Sequence, residues 1–121
     1  MLFRSCYSHP DPDVRQQRFV AHAEAAARLA DLDQHPVFAP VVHGHTLVEI
    51  GGLGLRDHAF WMRQCLPILK LADVLVVLQL DGLEESEGTL AEIHVAHNLG
   101  IPVLQWDGVS PHILEEAAWT L

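Results

Sequence analysis

The chain has 121 residues and a mass of 13.4 kDa, and half of its residues are apolar, which suits one hydrophobic core and leaves too little for two; a single domain over 1–121 is expected. Seven Lys and Arg against sixteen Asp and Glu give a net charge of −9 with histidine neutral, so a phosphate backbone is repelled and nucleic-acid binding through charge is excluded. Two cysteines make no disulfide framework, no apolar run nears the roughly 18–20 residues of a membrane span, and MLFRSCYSHP has no signal-peptide pattern, so a cytoplasmic protein without a membrane partner is expected.

LFRS (2–5) reads as a short strand, and the proline- and aspartate-rich YSHPDPDV reads as a loop in which Asp11 or Asp13 caps the following helix. From Val14 to Leu32 the positions Phe19, His22, Ala23, Ala26, Leu29 and Ala30 recur at helical spacing in an alanine-rich background. PVFAPVV (36–42), β-branched and bounded by proline, predicts a buried strand. HGHTLVEIGGLGLR (43–56), with four glycines and no clear period, predicts a mobile loop of unusual length. A second helix is predicted from Asp57 to Leu71, with Phe60, Trp61, Leu66, Ile68 and Leu69 as apolar contacts and Pro67 bending it.

ADVLVVLQL (72–80) is the clearest strand, an unbroken apolar run of the kind that parallel sheets bury on both faces. DGLEESEG (81–88) is an acidic turn, Thr89 to Leu99 is helical and closed by Gly100, IPVLQW (101–106) is a fourth strand, and Ser110 caps a short last helix, PHILEEAAW. This alternation predicts an α/β fold of Rossmann-like or flavodoxin-like type: an open parallel sheet of four or five strands with helices on both faces. Ligands of such sheets bind beyond the C-terminal ends of the strands, which draws attention to the loops there.

The most informative segment is Ser86-Glu87-Gly88-Thr89-Leu90-Ala91-Glu92. A projection at 100° per residue places Glu92 beside Ile93 on the apolar face of its helix, in the first turns, where the helix dipole favours an ionised carboxylate. Ser86 precedes that helix, where its hydroxyl and the free backbone amides suit an anion such as a phosphate. On spacing alone the plainer reading is a helix cap at Ser86 and a rim carboxylate at Glu92 reaching water.

The run from Asp73 through Ser86, Gly88, Glu92, Ala96 and Gly100 to Pro102, set as strand, loop and helix, resembles the nucleoside 2-deoxyribosyltransferase-like superfamily, which includes the deoxynucleoside 5'-monophosphate N-glycosidases. Tyr7-Ser8-His9-Pro10 and the segment from Phe60-Trp61 to Asp73 look like an uncharacterised bacterial branch of it. The resemblance implies that Glu92 attacks the anomeric carbon of the sugar, in the manner of a retaining glycosidase. It further implies a serine at 86 for a phosphate, where transferases of free nucleosides carry an aspartate for the 5'-hydroxyl. The family's second carboxylate falls on Cys65, which is no acid of comparable strength. The strand-1 tyrosine of many members falls on Leu2, with Tyr7 in the next loop as its substitute.

The expected function is therefore hydrolysis of the N-glycosidic bond of a nucleoside 5'-monophosphate or related nucleotide. Its alternatives are a weakened nucleotide-binding or sensor domain and a nucleoside deoxyribosyltransferase. Glu92, Tyr7 and Cys65 form the expected catalytic set; Ser86, Gly88, Ser5, Ser8, His43, His45 and Asp57 form the expected substrate-binding set; and no cofactor or metal is called for. Asp57, His43 and His58 are the candidates for a replacement acid. Arg4 reads either as a phosphate contact or as a surface residue. His43 and His45, even with His9 or His58, match no metal-ligand framework, and Gly51-Gly52-x-Gly54 lacks the dinucleotide fingerprint. His94 and His97 fall on the polar side of their helix. Phe60 and Trp61 suit core or subunit contacts, and with the long loop they predict a homo-oligomer, most simply a dimer.

Overall fold

A computed structural model of the chain describes residues 1–4, 7, 9–32, 36–54, 56–78, 87–108 and 115–116. Its elements in chain order are β1 (Leu2–Arg4), α1 (Pro12–Leu32), α2 (Pro40–Glu49), α3 (His58–Leu69), β2 (Leu75–Leu78), α4 (Glu87–Leu99), β3 (Val103–Trp106) and β4 (Glu115–Glu116). β1, β2 and β3 form an open parallel sheet in that order, and β4 pairs with β3 antiparallel at the edge. Among the described residues the parallel sheet thus has three strands where the sequence predicts four or five. Among the described residues, no helix is long and apolar enough to cross a membrane.

The missing strand is PVFAPVV. Only Phe38 pairs with β1: its N–H donates to the Met1 carbonyl at 2.9 Å, and its own carbonyl accepts from the Phe3 N–H at 2.8 Å. The next residues whose backbone nitrogens would point at β1 are two positions away on either side, and both are proline. Pro36 and Pro40 have no N–H to donate, so beyond the Phe38 bridge only the Pro36 carbonyl takes part, accepting from the Met1 amine.

Pro40 instead opens α2, at the first helical positions where its absent donor costs nothing. The predicted loop 43–56 is therefore helical through Glu49. Gly44 is a packing residue in it: a methyl group there would lie 3.1 Å from the Trp61 ring. The other helices match expectation closely. Asp11 accepts from the Asp13 N–H at 2.9 Å and Asp57 from the Phe60 N–H at 2.9 Å, each a side-chain oxygen satisfying a free donor of the first turn. Pro67 lies inside α3, and Gly100 takes φ +72° after α4, the left-handed conformation that glycine tolerates best. The proposed last helix is not borne out at Glu115 and Glu116, which are strand, and the rest of it lies outside the described residues.

Strand alternation divides the core in two. Leu2, Leu75, Val77 and Val103 face α3 and α4, meeting Leu69, Ile93 and Ala96. Phe3, Val76, Leu78 and Trp106 face α1, meeting Ala25 and Leu29. Helices therefore cover both faces, as an apolar run such as Leu75–Leu78 requires.

His22 belongs to the second cluster. It is 0% exposed, its ring lies 4.7 Å from that of Phe3, and it hydrogen-bonds to the Phe3 backbone. Burial, with the Arg4 charge adding in the same direction, pushes its pKa down to about 3. The unfolded chain takes up a proton at His22 below pH 6.5 that the native state refuses, so this stability is present above pH 6.5 and is lost as pH falls toward 3. Buried His45 is shifted the same way. Urea unfolding of the wild type should lose about 2 kcal/mol more than His22→Gln between pH 7 and pH 5. Parallel pH dependences in the two proteins would show that His22 is not the titrating group.

Candidate functional site

Three elements converge beside the C-terminal end of β1. Arg4 ends that strand two residues after Leu2, so it points to the same face of the sheet, toward α3 and α4. Gly88 and Glu92 are four residues apart on α4 and share a face of it. His58 and Cys65, seven apart on α3, are likewise nearly aligned. The chain thus brings a guanidinium, a carboxylate, an imidazole and a thiol to one place.

Glu92 is 1% exposed. Its Oε2 lies 3.5 Å from Arg4 Nε, and neither atom has a hydrogen-bond partner among the described residues. Burying a carboxylate oxygen of this kind is costly unless it is paired, and Arg4 is the cation that faces it. Burial raises the Glu92 pKa above the ordinary carboxylate range, while the charges of Arg4 and His58 pull it down. Desolvation thus opposes the ionised form that the helix dipole favours, and Arg4 is its main counterweight.

Cys65 is nearly buried, and its thiol is pushed up to about 11, first by desolvation and then by the charge of Glu92, with Arg4 opposing. Cys65 and Glu92 are therefore electrostatic neighbours. At neutral pH the thiol stays protonated and is a poor proton donor.

Gly88 shows why this turn has no side chain. A methyl group on it would sit 2.5 Å from Arg4 Nη2 and 4.0 Å from His58 Nδ1. The guanidinium and the imidazole thus flank the space over the first turn of α4, one turn before Glu92.

Tyr7 belongs to a second group. Its hydroxyl donates to His45 Nδ1 at 2.6 Å, and His45 Nε2 faces Gln16 Oε1 at 3.1 Å, an arrangement that suits a neutral imidazole with its proton on Nε2. The His45 ring stacks on Phe19 at 3.9 Å. The Arg15 side chain also bonds to the Tyr7 phenol, whose pKa is raised chiefly by burial. Tyr7 is thereby tied to α1 and α2, although three residues of chain put it within roughly 11 Å of Arg4.

The remaining candidates separate. His43 is exposed beside Phe38, and its position in α2 points it away from His45, so the two imidazoles do not converge. Asp57 spends one carboxylate oxygen capping α3. His94 and His97 are exposed, in line with the polar face assigned to them. Phe60 and Trp61 are half-buried and meet edge to face at 4.9 Å. Ser5, Ser8 and Ser86 lie outside the described residues. What the sequence reading leaves undecided is Arg4, and the signal that resolves it is its alternation with Leu2: a strand with Leu2 on the α3/α4 face must place Arg4 there too.

Residues 3–108 match the family model of a domain of unknown function, DUF1937, and the chain belongs to that family. Comparison with curated proteins finds no match.

The site's electrostatics are open to direct measurement. In Gly88→Ala the added methyl group must displace the Arg4 guanidinium, the movable end of a flexible side chain, and so weaken its hold on Glu92. The Glu92 carboxyl, followed by carbon NMR, should titrate at higher pH in Gly88→Ala and in Arg4→Met than in the wild type. Overall stability of Gly88→Ala should change by less than about 1 kcal/mol, because alanine's better helix propensity offsets the displacement. An unmoved Glu92 titration in both variants would show that the pair does not govern the site.

Proposed function

We propose that this DUF1937 chain hydrolyses the N-glycosidic bond of a nucleoside 5'-monophosphate or a close relative, with Glu92 as nucleophile. The observation that carries the reading is the Glu92 carboxylate itself: buried at the C-terminal edge of a parallel sheet, faced by an arginine, with an oxygen that no described residue hydrogen-bonds. On this reading the oxygen approaches an anomeric carbon, and the low-dielectric surroundings strengthen its interaction with an oxocarbenium-like transition state.

In the proposed reaction Glu92 Oε2 attacks C1' of the sugar and the base leaves from the opposite face. Water then attacks C1' of the glycosyl ester and returns the free carboxylate. Arg4 serves the first step by keeping Glu92 ionised against its burial. The phosphate is assigned to Ser86 and the first amides of α4, with Tyr7 near the sugar end, as the resemblance implies. One observation favours a second reading: the thiol at Cys65, with its pKa near 11, supplies no acid where the resembled enzymes have one. On that reading the domain binds a nucleotide and does not turn it over. Transfer of the sugar to another base remains the enzymatic alternative.

Chromatography for free base, after incubation with a panel of ribo- and deoxyribonucleoside monophosphates and the corresponding nucleosides, separates these readings. We expect release from at least one monophosphate and a fall of at least about 10³ in Glu92→Gln, which removes the nucleophile and keeps the shape. Sugar transfer to an added base would identify the transferase. Binding without release, unchanged in the variant, would overturn the glycosidase in favour of the sensor.

A further inference from the structure

We propose that His58 is the group that exchanges protons with the leaving base and the attacking water, in place of the carboxylate missing at Cys65. The inference rests on the glycosidase reading and adds to it the identity of the acid.

Three side chains were candidates, and their placement separates them. Asp57 is held as the cap of α3, with Oδ1 accepting from the Phe60 N–H at 2.9 Å. His43 is exposed beside Phe38, on the face of α2 away from His45. His58, the first residue of α3, has Nδ1 4.0 Å from the point where a Gly88 side chain would begin, and Arg4 Nη2 lies 2.5 Å from that same point. The imidazole therefore lies beside the first turn of α4, one turn before Glu92, and its exposure lets it exchange protons with water. The cap at Asp57 fixes the first turn of α3, and with it the origin of the His58 side chain.

Arg4 from β1 meets His58 over Gly88, Glu92 from α4 feels the His58 charge, and Cys65 lies two turns along the same helix. The His58 charge in turn lowers the Glu92 pKa, so the two groups are electrostatically coupled.

The proton balance closes within the site. As the C1'–N bond breaks and Glu92 Oε2 bonds to C1', the His58 imidazolium gives one ring proton to the departing base nitrogen. The neutral imidazole then takes a proton from the water that attacks C1', and Glu92 leaves as the carboxylate. Both groups return to their starting states, with one water consumed and one base and one sugar phosphate released.

A pair of substrates differing only in their need for that proton tests the assignment: a purine deoxynucleoside 5'-monophosphate, and the 5-phospho-deoxyriboside of 4-nitrophenol, whose nitrophenolate leaves unprotonated. His58→Ala and His58→Gln should lose about 10² to 10⁴ in kcat on the nucleotide and lose the alkaline limb of its pH profile. On the nitrophenyl substrate both should stay within about threefold of the wild type in forming the glycosyl-enzyme, and added imidazole should partly restore nucleotide cleavage by His58→Ala. Equal losses on both substrates, with unfolding midpoints like the wild type, would make His58 a structural residue and overturn the inference. Unchanged nucleotide cleavage in both variants would overturn it as well, leaving the glycosidase reading standing. A wild type inactive on both substrates would remove that reading and this inference together.

Discussion

The meeting of Arg4 with Glu92 is the interaction on which the site is built. It ties the last residue of β1 to the second turn of α4, two segments far apart in sequence, and it lies at the sheet edge where open α/β folds bind ligands. At 3.5 Å, and with no hydrogen bond to either atom among the described residues, the pair leaves the carboxylate only partly compensated for its burial. Such pairs contribute little net stability, because desolvation cancels much of the attraction. On the proposed reading the pair's use is chemical: a carboxylate kept ionised by one cation, with an oxygen that no described residue hydrogen-bonds.

The rest of the architecture can be seen as support for that pair. Alternation along β1 aims Leu2 into one core and Phe3 into the other, so Arg4 has a single direction open to it. Gly88 clears the path of the guanidinium. Leu69, Ile93 and Ala96 press α3 and α4 onto the sheet, fixing the helix faces that carry Cys65 and Glu92. Removing a partner from this arrangement acts on electrostatics before it acts on the fold, because the apolar contacts of both cores lie elsewhere.

The helices with strong propensity and the central strands were legible in the sequence because their local signals agree with their tertiary roles. The apolar run at Leu75–Leu78 has no other stable placement than between two layers, and Asp11 and Asp57 mark helix starts through their own chemistry. The segment 36–56 misleads because Val41, Val42, Thr46 and Val48 favour strands intrinsically, while Gly44 and the later glycines suggest a loop. Packing of Gly44 against Trp61 lies outside any local pattern, yet Pro40 carried the helix start in plain view. At the site, the inward aim of Glu92 follows from helical period, whereas its raised pKa does not: that depends on how completely two helices and a strand exclude water. The link from Tyr7 to His45 likewise joins positions 38 residues apart that no spacing rule relates.

The single-residue bridge at Phe38 has a consequence for how copies of this chain can meet. Both of its backbone groups are spent on Met1 and Phe3, and among the described residues the outward-facing groups beside it come only from Val37 and Ala39 before α2 begins. A neighbouring strand would find too short a row of donors and acceptors to continue the sheet. This border is therefore closed to edge-to-edge growth, and any association of protomers along it has to be made by side chains of α2 and its surroundings, with the geometry of packed helices in place of a shared ladder.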